Sequence, residues 1–554
     1  MSPEEIAEEI GRVLGVSVQS GAFNPFEWES IEIVVERPKD RNHGDWSTNI
    51  ALQISKKVGL NPRETATVLV SHLSKLPVFE KVEIAGPGFI NFSLASGSAA
   101  GLVAVILDAG LQYGVGSSLS GTNFNVEFIS ANPTGPLHLG HSRWAAVGDA
   151  IARVLTANGA MVTREFYIND RGVQMDKFGL SVQAAALGKE IPEDGYHGQY
   201  IKELASEIVS WNPSILSLPE EEQFVAFREA AYELQLKQQQ NVLDNFKTHF
   251  DVWTSERRLH DSGAVEKGLE VLKKHGHLFE QDGALWLRTT DFGDDKDRVL
   301  RKSNGELTYF ASDTAYYVDK RSRGFDVCIY LVGADHHGYV NRLRAVAACA
   351  GDNPDVNVEV PIGQLVKMMK GGEEVRLSKR AGNIITLEDL VDEVGVDAAR
   401  YTLIRYSVDT PLVLDLDLLI QRTNDNPVYY VQYAHARIAS VLRQANDLNV
   451  DYKKSEFVPS ALIHEKENEL LGTLAQYPGI VEKAAELRQP HRIARYLEEL
   501  ANAYHKFYDA CRVLPQGDAS ITEVNIARLY LCEATKQVLA NGLALCGVSA
   551  PERM

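Results

Sequence analysis

The chain has 554 residues, 45% of them hydrophobic, and a formal net charge of −19. Such a length holds about three or four domains of ordinary size, with ample apolar content for packed cores. No apolar run approaches a membrane span, since the best, Leu102 to Leu107, is ended by Asp108; the acidic balance counts against a bulk coater of nucleic acid, which would be basic. Cys328, Cys349, Cys511, Cys532 and Cys546 are scattered, without a C-x-x-C pair. That pattern points to a reducing cytoplasm and away from a structural zinc. The N-terminus, MSPEEIAEEIG, is acidic and amphipathic, unlike a secretory or mitochondrial leader.

Residues 1–115 read as a small α+β domain. An amphipathic helix through Ile6, Ile10, Val13 and Leu14 leads to a strand at Ile31–Glu36 and a polar turn, Arg41 to Asp45. A second helix follows through Ala51, Leu52 and Ile54, and Val82–Ala85 with Phe89–Leu94 predicts a hairpin closed by Gly86-Pro87-Gly88. Gly114–Gly121 is a flexible joint. From Asn123 the pattern alternates strand and helix, which predicts a parallel sheet. Strands are expected at Asn125–Ile129, Thr163–Ile168, Leu285–Thr289, Leu307–Phe310, Asp326–Val332 and Glu359–Val366. The stretch 172–282 is mostly helical and charged, and reads as an insertion between two halves, 116–171 and 283–370, of a Rossmann-like nucleotide-binding fold. Binding sites in such sheets lie at the carboxyl ends of the strands, where the strand order reverses. After a loop region at 371–420, residues 421–554 lose all strand character. Ile493, Leu497, Leu500, Tyr504, Phe507 and Cys511 line one helix face, and Leu529, Leu531, Val538, Leu539 and Leu543 another, which predicts a helical bundle.

The most informative stretch runs from Asn125 to Gly159. A strand passes through the turn Asn132-Pro133-Thr134-Gly135-Pro136 into a helix that Asn158-Gly159 stops, and His138-Leu139-Gly140-His141 sits at the junction. A strand, a tight loop and a helix start gather backbone N–H groups and a positive dipole end, which suits a bound phosphate. Two imidazoles there can donate to phosphate oxygens, and the glycine between them lets a flat base lie against the backbone. Cytidylyl- and adenylyltransferases use the same spacing. A metal pair would need a carboxylate at helical spacing, and none is there.

The other informative stretch is Lys367 to Asn383, KMMKGGEEVRLSKRAGN, which reads as a surface loop. Arg376-Leu377-Ser378-Lys379-Arg380 sets cations beside a small hydroxyl, and a lysine so placed can neutralise charge on a leaving pyrophosphate. Alone it reads first as a solvated charge run. Together the two motifs, with the terminal helical bundle, resemble a class I aminoacyl-tRNA synthetase. That class carries signatures written HIGH and KMSKS; here they stand as HLGH and RLSKR. The second departs at its first two positions and its last, while Lys379 is kept and Arg376 preserves the leading charge. Longer stretches resemble bacterial arginyl-tRNA synthetase: Glu127 to Pro133, Trp286 to Thr290, Asp294 to Lys302, Gly333 to Tyr339, Asn426 to Arg437, His43-Gly44-Asp45 with Ser47-Thr48-Asn49, and Gly547 to Glu552. The resemblance spans essentially the whole chain.

That resemblance implies an α/β Rossmann-like catalytic domain with a parallel sheet, an N-terminal α+β domain that binds tRNA, and a C-terminal all-α bundle that binds the anticodon. Residues 371–420 would hold the Ser-Lys loop and contact the tRNA stem. The implied reaction joins L-arginine to ATP, giving arginyl-adenylate and pyrophosphate, and passes arginine to the terminal adenosine of its tRNA. His138 and His141 would grip the ATP phosphates, with Gly140 under the adenine and Lys379 on the leaving pyrophosphate. Pro133, Thr134, Gly135, Ser378, Gly333, Asp335 and His337 would complete the ATP site. Magnesium would accompany the triphosphate, with no tightly bound cofactor.

A guanidinium stays protonated and presents forked donors, so a dry pocket for it must supply carboxylates. Glu127 and Asp313 match the family's arginine positions, with Tyr309 and His336 beside them and Asn132 on the amino acid's α-groups. Asn49, Tyr429 and Tyr433 would meet the tRNA, by stacking in the case of the tyrosines, with Tyr430 a third candidate. The implied protein is a cytoplasmic monomer whose partners are ATP, L-arginine and the tRNA for arginine, with no membrane. In this family arginine activation generally requires bound tRNA. Three other readings compete. A nucleotidylyltransferase leaves the Ser-Lys loop and bundle idle. A phosphoesterase with a metal at Asp335-His336-His337 needs further ligands. An inactive RNA-binding relative sits badly with intact His138, His141 and Lys379.

Overall fold

The computed structural model of the chain describes residues 3–38, 43–94, 100–334, 337–375, 385–515 and 519–554. The N-terminal part packs helices Pro3–Gln19, Ile50–Val58 and Pro62–Leu73 on a four-stranded antiparallel sheet. Its strands run in the order Val35–Glu36, Trp46–Thr48, Phe89–Leu94 and Phe79–Ala85. Helix Pro62–Leu73 starts where the sequence provides for it. The Asn61 side chain accepts from Glu64 N–H, the Glu64 carboxylate accepts from Asn61 N–H, and Pro62 occupies the first helical position.

The core of the molecule is a five-stranded, all-parallel sheet in the order Val358–Glu359, Val327–Tyr330, Asn123–Glu127, Met161–Ile168, Val252–Ser255. Asn123–Glu127 comes first in the chain and lies in the middle. Successive strands therefore build outward on one side of it and then on the other, so the order reverses beside this strand. Helix Leu139–Ala157 follows it and is buried along nearly all its length. Its small residues allow this: a Cβ at Gly148 would lie 2.4 Å from the Phe128 ring.

The expected strands were only partly right. Leu285–Thr289 falls on Ala284–Leu287, but that strand belongs to a separate antiparallel ribbon with Leu278–Gln281 and Arg298–Arg301. Leu307–Phe310 is no strand, because helix Tyr309–Ser322 starts inside it. Conversely, the mostly helical stretch 172–282 re-enters the central sheet at Val252–Ser255. Helices Val173–Ala186, Gln199–Trp211 and Glu220–Asn245, which precede that strand, form a core of their own around Phe178, Ile201, Leu204 and Phe227. Beyond Leu412–Asp415 the described residues contain helices only, chiefly Pro427–Asp447, Glu465–Leu474, Tyr477–Glu486, His491–Ala510 and Glu523–Leu545. Among the described residues, no helix is long and apolar enough to cross a membrane.

Three parts of the chain meet at Asp149 on the buried helix. Arg400 of helix Val396–Arg405 donates to its Oδ2 at 2.5 Å, and the same guanidinium donates to the carbonyls of Phe246 and Cys546. Removing one partner of such a pair strands the other. Arg400→Met is expected to destabilise the protein by about 3–5 kcal/mol, read as a lowered urea midpoint; an unchanged midpoint would show the junction to be dispensable.

Candidate active site

The site is assembled at the carboxyl end of the central strand Asn123–Glu127. Directly after it, Ile129 and Ser130 both take left-handed backbone angles, φ 70° and 46°. For a β-branched residue this conformation is strained. Hydrogen bonds hold it. Ser130 Oγ donates to Glu127 Oε1 at 3.0 Å and accepts from Tyr167 N–H at 3.1 Å. The following loop is clamped by the helices of the 173–245 stretch. Buried Gln239 donates through Nε2 to the carbonyls of Asn132 (3.0 Å) and Gly135 (2.8 Å). Tyr200 Oη donates to the Thr134 carbonyl, and Asn132 Nδ2 donates to Gln174 Oε1 at 2.5 Å. Pro133 and Thr134 are buried, and Gly135 is half-buried.

His138 is the N-cap of helix Leu139–Ala157, and its ring stacks on that of His141 with centroids 3.7 Å apart. The Gly140 N–H donates to His138 Nδ1 at 3.1 Å, and the His138 N–H donates to His141 Nδ1 at 3.3 Å. Each Nδ1 is thereby an acceptor, which assigns both rings as the neutral tautomer with the proton on Nε2. Desolvation lowers the pKa of His138; burial and the neighbouring His138 hold His141 down to about 3. The backbone donors of the first turn are spent inside the protein: Leu139 N–H goes to the Ile385 carbonyl at 2.8 Å and His141 N–H to that of His138 at 2.8 Å. This corrects the expectation of free backbone N–H groups at the helix start. Among the described residues, the two Nε2–H groups have no hydrogen-bond partner, and their chemistry suits a phosphate oxygen. Gly140 has a steric reason as well, since a Cβ there would lie 2.9 Å from His138 Cε1.

Acidic and aromatic side chains also cluster at the carboxyl end of the sheet. Glu127 ends the central strand, and Asp313 lies on helix Tyr309–Ser322. Burial, then Glu256, then Glu127 push the Asp313 carboxyl up to about 7, against Arg342 and a hydrogen bond from Tyr339. Tyr167 faces the same carboxylates and Asp170, and its phenol is pushed up by burial and by them. Tyr309 is 74% exposed at the rim.

Glu256 escaped sequence reasoning. It is 3% exposed, follows strand Val252–Ser255 directly, and burial raises its pKa. Recognising that four-residue strand would have put Glu256 at a strand end, as Glu127 is. Asp170, which accepts from Ser255 Oγ and Arg257 N–H, was also missed, although it stands two residues beyond the expected strand Thr163–Ile168. The pocket therefore gathers several carboxylates around a site fit for a cation with forked donors.

Gly333 ends strand Val332–Gly333, paired with Ile362–Gly363, and helix His337–Cys349 follows. Asp335, His336, Ser378 and Lys379 lie outside the described residues, as does the side chain of His337. The described chain resumes at Ile385, where Leu387 N–H donates to the Leu137 carbonyl and Thr386 bridges His138. Arg143, buried, donates to the carbonyls of Gln364, Ser407 and Thr410 and ties the site helix to the segments on either side of this stretch.

Far from the pocket, Tyr429 and Tyr433 stack at 5.8 Å on helix Pro427–Asp447, and Arg437 lies over Tyr433. Tyr430 packs against His505. All three tyrosines are half-buried. Asn49 is exposed at the start of helix Ile50–Val58, and its side chain makes no capping bond.

Three family models match the chain: arginyl tRNA synthetase N-terminal domain over 3–94, tRNA synthetases class I (R) catalytic domain over 103–410, and DALR anticodon binding domain over 431–554. The chain is 55% identical to an arginine–tRNA ligase of Paenarthrobacter aurescens over 555 residues and 53% identical to one of Pseudarthrobacter chlorophenolicus over 558, covering 100% of both chains in each comparison. The arginyl-tRNA synthetase structure from Thermus thermophilus superposes with a TM-score of 0.75 at 22% identity, covering 100% of both chains, and so shares the fold.

The histidine geometry is testable directly. With a folded pKa near 3, His141 stays neutral through the range where a free imidazole gains its proton. Long-range ¹⁵N spectra of histidine-labelled protein should show His141 as the Nε2–H tautomer from neutral pH to about pH 5. Protonation near the ordinary value of 6.5 would contradict the assignment.

Proposed function

The chain belongs to the arginyl-tRNA synthetases, and from that membership we propose how its own residues divide the work of the reaction. It is a class I arginine–tRNA ligase whose substrates are L-arginine, ATP and tRNA. In the first step a carboxylate oxygen of arginine attacks the α-phosphorus of ATP. The bond to the β-phosphate oxygen breaks, and pyrophosphate leaves with the electron pair. In the second, a ribose hydroxyl of the 3′-terminal adenosine attacks the arginyl carbonyl, and AMP leaves. Neither step needs a nucleophile from the protein, so positioning and charge stabilisation carry the catalysis.

His138 and His141 donate from Nε2 to the phosphates, and Gly140 passes under the adenine. Pro133, Thr134, Gly135, Gly333, Asp335 and His337 frame the nucleotide, which enters with magnesium as part of the substrate. Ser378 and Lys379 meet the departing pyrophosphate. Lys379 precedes Ile385 by six residues, about 20 Å of extended backbone. Because Ile385 is bonded to Leu139, that reach covers both histidines. Asn132 and His336 take the arginine's α-groups and neighbourhood, Tyr309 closes the rim, and Asp313, Glu127 and Glu256 supply the carboxylates for its cationic ends. Asn49, Tyr429 and Tyr433 contact tRNA, with the enzyme acting as a cytoplasmic monomer; five free, buried cysteines suit a reducing compartment.

The carrying observation is the acidic pocket at the same strand end as the imidazole pair. Its electrostatics give a signed prediction. Asp313 is protonated below about pH 7, and a guanidinium must displace that proton to gain the carboxylate. The KM for L-arginine should therefore rise as pH falls below about 7, approaching tenfold per unit, and level off above it. Asp313→Asn should remove this dependence and raise the arginine KM about a hundredfold, the effect of deleting one partner of a buried charge pair, while the ATP KM stays within about twofold. Equal effects on both KM values would rule out the guanidinium role.

A further inference from the structure

The pocket holds one fully buried cation that the reaction as described does not use. Lys320 sits on the last turn of helix Tyr309–Ser322 and is 0% exposed. Its Nζ donates to Glu127 Oε2 at 2.5 Å and lies 3.9 Å from the ring centroid of Tyr330 and 4.4 Å from that of Tyr316. Behind it is a second buried carboxylate, Glu165, already served by four donors: Asn125 Nδ2 (2.6 Å), Thr254 Oγ1 (2.6 Å), Tyr316 Oη (2.9 Å) and Arg323 (2.9 Å). Glu165 thus has its own supply of hydrogen bonds; it also feels the Lys320 charge, but the hydrogen bond of Lys320 goes to Glu127.

Burying an ammonium is expensive, and a core that needed only to be filled at this point would be more stable with an apolar side chain. The geometry gives the charge a purpose. Glu127 receives Lys320 on Oε2 and Ser130 on Oε1, so both oxygens are pinned from the protein side and the carboxylate cannot rotate away from the pocket. The ammonium also balances one negative charge in a cluster where Glu256 and Glu127 both act on Asp313.

Resting on the arginine-pocket reading above, we propose that Lys320 is a positioning residue for substrate recognition. It fixes the Glu127 carboxylate and balances its charge, leaving Asp313 and Glu256, whose pKa values stay raised despite Arg342 and Arg171, to take the guanidinium. Lys320 touches no substrate; it acts through Glu127. It is therefore expected to govern the KM for arginine, not the ATP site.

The test is a double-mutant cycle on the full-length chain, by aminoacylation of total tRNA, with wild type, Glu127→Gln, Lys320→Met and the double variant. Each single substitution should raise the KM for L-arginine about tenfold or more and leave the ATP KM within about twofold. The double variant should be no worse than Glu127→Gln, because a neutral side chain at 127 leaves Lys320 nothing to position. It should also melt above either single variant, since neither charge is left buried alone. An unchanged arginine KM in Lys320→Met, or single effects that multiply in the double variant, overturns the proposal. Should Lys320→Met fail to fold, Glu127→Gln against the double variant decides: equal arginine KM values support it, and a further rise overturns it. If Glu127→Gln leaves the arginine KM unchanged, the pocket reading itself has failed, an outcome distinct from a Lys320 effect that is merely absent.

Discussion

Asp149 is the point on which the arrangement of the catalytic parts depends. Its carboxylate takes Arg400 at 2.5 Å, Arg153 at 2.7 Å and Arg164 at 3.4 Å, all of them inside or at the edge of the core. Arg400 uses its whole fork. Nε donates to the Cys546 carbonyl, and the terminal nitrogens reach the carbonyls of Phe246 and Lys247, Thr248 Oγ1 and Asp149. A lysine could not span those directions. The backbone yields to this side chain too: Gly547 has φ +66°, and a Cβ there would lie 2.3 Å from the guanidinium. One residue thus fixes the site helix, the end of the helical stretch and the chain's last turn relative to each other. The histidines stand at the N-terminus of that helix, so their position is inherited from a junction nearly three turns away.

The second organising fact is an imbalance of charge. Glu127 has Lys320, but Asp313 is raised to about 7 by burial and by its acidic neighbours, and burial with Asp170 raises Glu256. Such a pocket is unstable in the sense that matters for binding: it stores repulsion that a cation relieves. A guanidinium matches it better than an ammonium would, because its charge is spread over a planar fork that can meet separated carboxylates together. The left-handed pair Ile129–Ser130 belongs to the same design, since it lets Ser130 reach back to Glu127.

The sequence made the large architecture readable because its periods are unambiguous. The Ala-rich stretch after His138 could only be a buried helix, and the terminal helices keep their apolar stripes for many turns. The failures have physical causes. Val252–Ser255 is too short to show alternation and is embedded in helical text, so Glu256 went unseen. Leu307–Phe310 has strand-like residues, but Thr308 caps a helix there, and Tyr309 is exposed. Lys320 was invisible for a different reason. A lysine in a charged helix end looks solvated, and only the fold reveals that it faces inward between two tyrosines. Glu127 and Asp313, by contrast, were named from residue type and family likeness, and the fold brings them to one pocket.

The histidine turn shows why imidazole suits this place better than a stronger cation. A helix N-terminus usually meets a phosphate with its own N–H groups. Here Leu139, Gly140 and His141 have all spent theirs, on Ile385, His138 Nδ1 and the His138 carbonyl. The rings take over as extensions of the helix end. Each accepts a backbone N–H on Nδ1 and carries its proton on Nε2, so the polarity of the first turn is passed outward through the ring to a donor that reaches further than the backbone can. Neutral rings can stack at 3.7 Å without repulsion, which two protonated ones could not do. The consequence is a separation of tasks. In the proposed reaction, neutral donors would orient the triphosphate without discharging it, so compensation for the leaving pyrophosphate would come from elsewhere. On the proposed reading it comes from Lys379, in the stretch ahead of Ile385, and Ile385 and Leu387 are bonded to Leu139 and Leu137 on either side of His138.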